Sequence, residues 1–342
     1  MISISLKKRF CKDFGIKMSI YDEPYFEERL NVLGYWKEYD DFCTMIEQKF
    51  NNNEHDFFEY ANEIQNKAIS IIRDSSTYNL LIGDPYNVIV RENKNYFEKY
   101  QLPHTDIYKD QNIGKEFLSI DMSKANFSAL VLLSKIYGRN FNNNDFSYDV
   151  FIKNITQLDY FTKSKYSRQV IFGNCNPKRL QEIEKNVMLH FVEQLEEMFP
   201  GISKSIVCFN NDEIVLDMYE IRAYAKLYAI QSFIEAFNYQ QETVPLHINY
   251  FKLGKAYGTN TYLKQNLSEK EAPELKCNNP IDTLFVTKIL KNIPFTENDK
   301  VFYSEFGPAK LLEYPEITIS FEPIQNKETL VELTNDEDEL EF

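Results

Sequence analysis

The chain has 342 residues, 43% of them hydrophobic, with 27 Phe, 23 Tyr and a single Trp, enough apolar surface for a sizeable core and, at roughly 150 residues per domain, about two domains. No apolar run approaches the roughly 18 residues of a membrane span, and the lysine-rich start, with Lys7, Lys8, Arg9, Lys12 and Lys17, argues against a secretion signal. Five scattered cysteines and four histidines, without a C-x-x-C pair, exclude a disulfide framework and a structural zinc site, so a reducing cytoplasm and no membrane partner are expected.

In chain order, apolar residues recur at helical spacing from about Tyr21 to Ser75, which predicts two or three helices. A loop-rich stretch is expected through Gly83-Asp84-Pro85 and Leu102-Pro103, with a domain boundary at residues 100–113. Phe117 to Met122 reads as a buried strand, running straight into a helix over Ala125 to Tyr137. Asn140 to Asp145 is a polar loop, and residues 147–162 are helical by pattern. A long amphipathic helix is predicted over Pro177 to Met198, stopped by Pro200-Gly201. Ser205 to Asp217 alternates as a hairpin turning at Asn210-Asn211, a helix follows over 219–238, and Val244 to Leu263 supplies two more strands. The expected fold is α+β: a helical region at 1–110, an antiparallel sheet with packed helices at 111–266, a small C-terminal region at 267–325 and an acidic tail at 326–342, expected to be disordered.

The net charge is −14, yet it is unevenly placed. The tail supplies −6, whereas residues 161–180 carry Lys163, Lys165, Arg168, Lys178 and Arg179 with no acid. The order strand, helix, hairpin allows Asp121, at a strand end, to meet Asp212-Glu213 at a hairpin turn. Facing carboxylates are costly unless a cation lies between them; a divalent metal pair is the usual resolution and serves phosphoryl transfer, with arginine and lysine neutralising the phosphates. Plainer readings stand beside this one: a solvated hairpin tip for Asp212-Glu213, a helix N-cap for Asp121, an ordinary exposed surface for the basic segment.

Four segments within residues 115–265 resemble motifs of the DNA polymerase I family. Asp121-Met-Ser-Lys-Ala-Asn-Phe-Ser-Ala-Leu-Val-Leu-Leu-Ser134 is similar to its first palm motif, Tyr166-Ser-Arg-Gln-Val-Ile-Phe-Gly173 to its fingers helix, and Phe209-Asn-Asn-Asp-Glu-Ile-Val-Leu-Asp217 to its third motif; Val244-Pro-Leu-His-Ile resembles the strand that follows. The spacing and the Asp-x-Ser-Lys-Ala string also resemble those of reverse transcriptases, whose palm is built the same way. The chain departs from the pattern at Asn211, where the family has histidine, at Ser164, where it has arginine, at Cys175, where it has an aromatic, and at Asn126, its acidic sugar-gate position; the second and third motifs also lie much closer together, implying reduced fingers.

The resemblance implies a polymerase-like palm and a metal-dependent nucleotidyltransferase, above all a compact template-directed polymerase. Asp121 and Asp212 would hold Mg²⁺ or Mn²⁺ with Glu213 adjusting them. Lys163, Lys165, Arg168, Phe172 and Asn126 would meet the nucleoside triphosphate. Asn211, Lys252, Lys255, Tyr257 and Lys264 would follow a primer-template, and the acidic tail would dock on a replication protein. Two alternatives are a nucleic-acid-binding replication accessory with a degenerate palm and, from the likeness of Asn-Asn-Asp-Glu to a Gly-Gly-Asp-Glu turn, a nucleotide cyclase.

Overall fold

Helix-forming patterns fill most of the first hundred residues. The computed structural model, which describes residues 2–138, 141, 147–222, 224–241, 246–269 and 271–324, turns nearly all of that stretch into helix. The elements in chain order are α1 (Ile4–Phe14), α2 (Tyr25–Leu33), α3 (Trp36–Phe50), α4 (Glu54–Asp74), α5 (Ser76–Ile82), α6 (Asp84–Tyr100), β1 (Glu116–Met122), α7 (Ala125–Ile136), α8 (Tyr148–Lys153), α9 (Tyr160–Lys163), α10 (Lys165–Gly173) and α11 (Pro177–Met198). There follow β2 (Ile206–Phe209), β3 (Glu213–Asp217), α12 (Met218–Ile221), α13 (Leu227–Gln241), β4 (Leu246–Tyr257), β5 (Thr261–Asn266), β6 (Glu274–Lys276), α14 (Pro280–Leu290), β7 (Val301–Ser304), β8 (Gly307–Lys310) and β9 (Thr318–Ser320). The fold is mixed α+β with antiparallel strand pairs, and no helix among the described residues is long and apolar enough to cross a membrane.

The loop expected through Gly83-Asp84-Pro85 is instead the junction between α5 and α6, and α6 runs to Tyr100, whereas Leu102-Pro103 lies in neither helix nor strand. Pro85 falls in the first turn of α6, where its missing N–H has no intrahelical partner to lose. The lysine-rich start, which drew no helix from the pattern, forms α1, with Ser3 accepting the Leu6 N–H at its head. The helix expected over 147–162 breaks into α8 and α9, and the one over 219–238 into α12 and α13. The polar loop Asn140 to Asp145, apart from Phe141, and the acidic tail lie outside the described residues, as do Val244 and Pro245.

The chain divides into two units, with strands β1 and β4 each contributing residues to both. The first unit comprises residues 1–16, 37–105 and 118–249. Its core is built on α11, whose Leu180, Ile183, Val187, Phe191 and Leu195 recur every third or fourth position and are all buried, each contributing about 1.5–3 kcal/mol. That stripe packs on α6 and on α7, which is apolar on every side and almost wholly buried. Strands β2 and β3 form the expected hairpin, with Phe209 opposite Ile214 and a bulge between Ile206 and Cys208, and β1 lies on the other side of β3.

The second unit comprises residues 17–36, 106–117 and 250–342. Strands β5 and β6 extend antiparallel from β4, while β9 pairs with the end of β4 at Ala256 and Ile319. Ala256, Leu263 and Val286 centre a small core covered by Leu275, Leu290, Ile317, Ile319 and Phe321. The β4–β5 turn needs Gly258: its φ of +87° is left-handed, and a Cβ there would meet the Glu316 carbonyl oxygen at 2.1 Å.

Candidate active-site cleft

The elements that carry the candidate site begin with β1, whose Phe117 to Ile120 are buried and whose Asp121, next to its last residue, is exposed. Asp121 therefore belongs to a strand, and the helix that follows is capped by Lys124, not by Asp121. The Met122 N–H donates to the Asp212 carbonyl oxygen at 2.8 Å, which fixes the hairpin turn beside the end of β1. Within the turn, the Asn210 N–H donates to the Glu213 carbonyl at 2.8 Å. Glu213 points elsewhere: its Oε1 accepts the Ser119 hydroxyl at 2.5 Å.

Opposite the carboxylates stands α10, part of the acid-free segment. Ser164 caps it, accepting the Ser167 N–H at 2.9 Å and donating to Asp13. Asp13, fully buried in α1, also pairs with Arg9 at 2.8 Å and accepts from Tyr160, while Arg9 and Gln65 both reach Ser167. This buried network occupies one face of α10 and leaves Lys165, Arg168 and Gln169 on another. It also accounts for serine at 164, where the motif that the sequence resembles has arginine: the position faces inward and is wholly buried.

The two groups line one cleft of about 510 Å³, which contains Asp121, Asp212, Asn126, Lys165, Arg168 and Phe172 together with Lys124 and Gln169. Six of the residues singled out by sequence thus meet in a single space. Phe172 contributes little more than its edge: it is 2% exposed, and its ring packs 6.4 Å from Phe127 and 6.1 Å from Tyr148, leaving no open face for a base. Lys163 lies on a different cleft with Glu38, Asp41 and Tyr160, and neither Glu213 nor Asn211 lines the one holding Asp121.

The nucleic-acid stripe falls in the second unit, and its charges already have partners there. Lys252 pairs with Glu322, and Lys255 with Asp110 at 2.5 Å. Lys264 is 6% exposed, with its ammonium 4.6 Å from the centre of the Phe251 ring. The Tyr257 hydroxyl accepts the Ile324 N–H at 3.2 Å. A phosphate reaching Lys252 or Lys255 would have to displace Glu322 or Asp110.

Sequence reasoning missed Glu184. It stands on the apolar stripe of α11, four residues after Leu180 and three before Val187, and is only 3% exposed. Its Oε1 has no hydrogen-bond partner. Burial pushes this carboxyl up to about 8, and the nearby Asp212 charge adds to the rise. Burial likewise raises the Asp212 carboxyl, a rise reduced by its own backbone N–H and increased by the Glu213 charge. The signal was present in the sequence: an acid on a helical stripe that is otherwise apolar. Glu184 itself does not line the cleft; Lys124 and Gln169, which do and which sequence reasoning also missed, carry no such mark.

The donor set fits a magnesium-class cation, which takes one or two carboxylates and completes its shell with water and substrate phosphates. A cation at Asp212 would also offset the rise that burial gives this carboxyl. Among the described residues, the group of three ligating side chains within 4.8 Å of one another is His55, Asp56 and Glu59, all exposed on the first two turns of α4. It shares no residue with the cleft. No family model, no curated protein and no solved structure matches the chain.

Proposed function

We propose that this cleft binds a nucleoside triphosphate together with a divalent cation and transfers its nucleotidyl group to a hydroxyl. The observation that carries the reading is the confrontation of Asp121 and Asp212 with Lys165 and Arg168 across one cleft of about 510 Å³, a volume that suits a nucleotide-sized ligand. Asp121 and Asp212 would hold Mg²⁺ or Mn²⁺, which when bound neutralises phosphate charge and favours the ionised hydroxyl. Lys165 and Arg168 would take the β- and γ-phosphates, with the guanidinium offering paired N–H donors to their oxygens. Asn126, on the first turn of α7, would face the sugar. In the reaction a 3′-hydroxyl gives up its proton to water and attacks the α-phosphorus, the new P–O bond forms as the bond to the oxygen bridging to the β-phosphate breaks, and pyrophosphate leaves toward Lys165 and Arg168.

Template direction is the finer part of the proposal and is supported by the order and content of the four motif-like segments. The test is extension of a labelled primer on DNA and RNA templates with Mg²⁺ or Mn²⁺, offering deoxy- and ribonucleotides separately, beside Asp212→Asn. Template-dependent extension lost in the variant supports a polymerase. Nucleotide addition without a template keeps the transferase and removes the template; no transfer with any acceptor overturns the proposal.

A further inference from the structure

Lys124 is absent from the nucleotide contacts that the motif resemblance implies, yet it lines the same cleft, between Asp121 and Asn126. Its backbone is left-handed, with φ 47° and ψ 46°, an uncommon conformation for a residue with a side chain and one that clusters at functional sites. Its ammonium is not idle: Nζ lies 2.6 Å from Oδ1 of Asp149, on the first turn of α8. The pair is accessible, with Lys124 30% and Asp149 48% exposed. An exposed pair of this kind is worth about 0–1 kcal/mol and is readily exchanged for a better anion.

A second contact aims Lys124 at the triphosphate side of the cleft. The buried Tyr148 ring holds the Arg168 guanidinium at 5.7 Å from its centre and the Lys124 ammonium at 5.8 Å. Two cations that line the cleft, from separate elements, the head of α7 and the body of α10, thus converge on one buried aromatic ring. Like charges gathered around one ring repel unless an anion lies between them, and Asp149 engages only one of the two in the structure.

We infer that Lys124 is a third phosphate-binding cation of the cleft and that Asp149 is its competing internal anion, releasing the ammonium when a polyphosphate enters. The inference rests on the nucleotide-binding reading above and adds its selectivity: the group recognised is the polyphosphate, and Asp149 raises the threshold so that shorter phosphates and stray anions do not hold the lysine. Lys124 gains a partner with more negative charge than one carboxylate, while Asp149, already 48% exposed, returns to water.

The test measures dissociation constants for a nucleoside tri-, di- and monophosphate, with Mn²⁺ present, in the intact chain and in Asp149→Asn, Lys124→Gln and the double variant. Asp149→Asn is expected to tighten triphosphate binding by up to about fivefold, the value of one exposed ion pair. Lys124→Gln is expected to weaken it by about tenfold, the value of one charge-assisted hydrogen bond, with little change for the monophosphate. In the Lys124→Gln background, Asp149→Asn should have no further effect. A tightening that persists in that background means that Asp149 acts by long-range repulsion, and the inference fails. An unchanged constant in both single variants also overturns it, whereas no nucleotide binding by the intact chain would defeat the underlying nucleotide-binding reading instead.

Discussion

Glu184→Gln removes a buried carboxyl of the first unit, one whose Oε1 has no hydrogen-bond partner, while keeping its shape. The wild-type carboxyl titrates at about 8 in the folded chain against 4.5 for an unburied glutamate. The folded value is raised, so the native state binds the proton more tightly than the unfolded chain. Its contribution to stability is fully present below about pH 4.5 and is lost as pH rises through 8. At 1.36 kcal/mol per pH interval, the buried acid costs the native state roughly 3 kcal/mol at pH 7 and approaches 5 kcal/mol above pH 9. Glutamine has no such dependence and forfeits about 1 kcal/mol for imperfect pairing of its amide. Urea denaturation of both proteins at pH 5, 7 and 8 should therefore show the variant gaining on wild type by roughly 3 kcal/mol across that interval. Parallel stability curves would refute the argument that Glu184 is buried, unpartnered and held protonated. Asp212→Asn, by removing the charge that adds to the rise, should shift the midpoint of the wild-type profile to lower pH.

Three further outcomes follow from particular contacts. Arg168→Gln should raise the KM for the triphosphate by about tenfold with the fold intact, as read by steady-state kinetics and circular dichroism. Asp13→Asn leaves Arg9 buried without its charge partner and should cost about 3–5 kcal/mol in denaturant titration; if α10 is held only by its apolar side, the loss will be under 1 kcal/mol. Gly258→Ala, forced both into a left-handed backbone and against the Glu316 carbonyl, should lower stability by roughly 2–4 kcal/mol, and a neutral result would contradict the β4–β5 turn described here.

The parts of the fold written in local pattern were readable from the sequence. The α11 stripe gave both ends of its helix, because proline opens it and Pro200-Gly201 closes it. The alternation around Asn210-Asn211 gave the hairpin, and the apolar run before Asp121 gave β1. Helices α5 and α6 were hidden because Gly83 and Pro85 read as a loop when they in fact form the junction and first turn of a new helix. Division of the chain into interleaved units was hidden too, since residues 17–36 and 106–117 join a partner segment more than a hundred residues away in sequence.

The site shows the same division. Asp121, Asp212, Lys165 and Arg168 could be paired in advance because strand order brings the first two together and an acid-free segment marks the others. Burial could not be read. Phe172 and Lys264 have residue types that suit a base or a phosphate, but tertiary packing covers both. Lys252 and Lys255 looked free because their anions, Glu322 and Asp110, are remote in sequence. Glu184 went unseen for the opposite reason: attention followed charge in loops and strand ends, while this acid is set in a helix core.

The central claim is that the carboxylates and cations of the cleft act on one ligand. Its most direct test is the dissociation constant of a nucleoside triphosphate measured with and without Mn²⁺, in the intact chain, in Asp121→Asn with Asp212→Asn, and in Lys165→Gln with Arg168→Gln. Tight binding is expected only with Mn²⁺, with the Mn²⁺ effect lost in the carboxylate variant and binding weakened with or without Mn²⁺ in the cation variant. Equal binding by all three proteins, or binding indifferent to Mn²⁺, would contradict it.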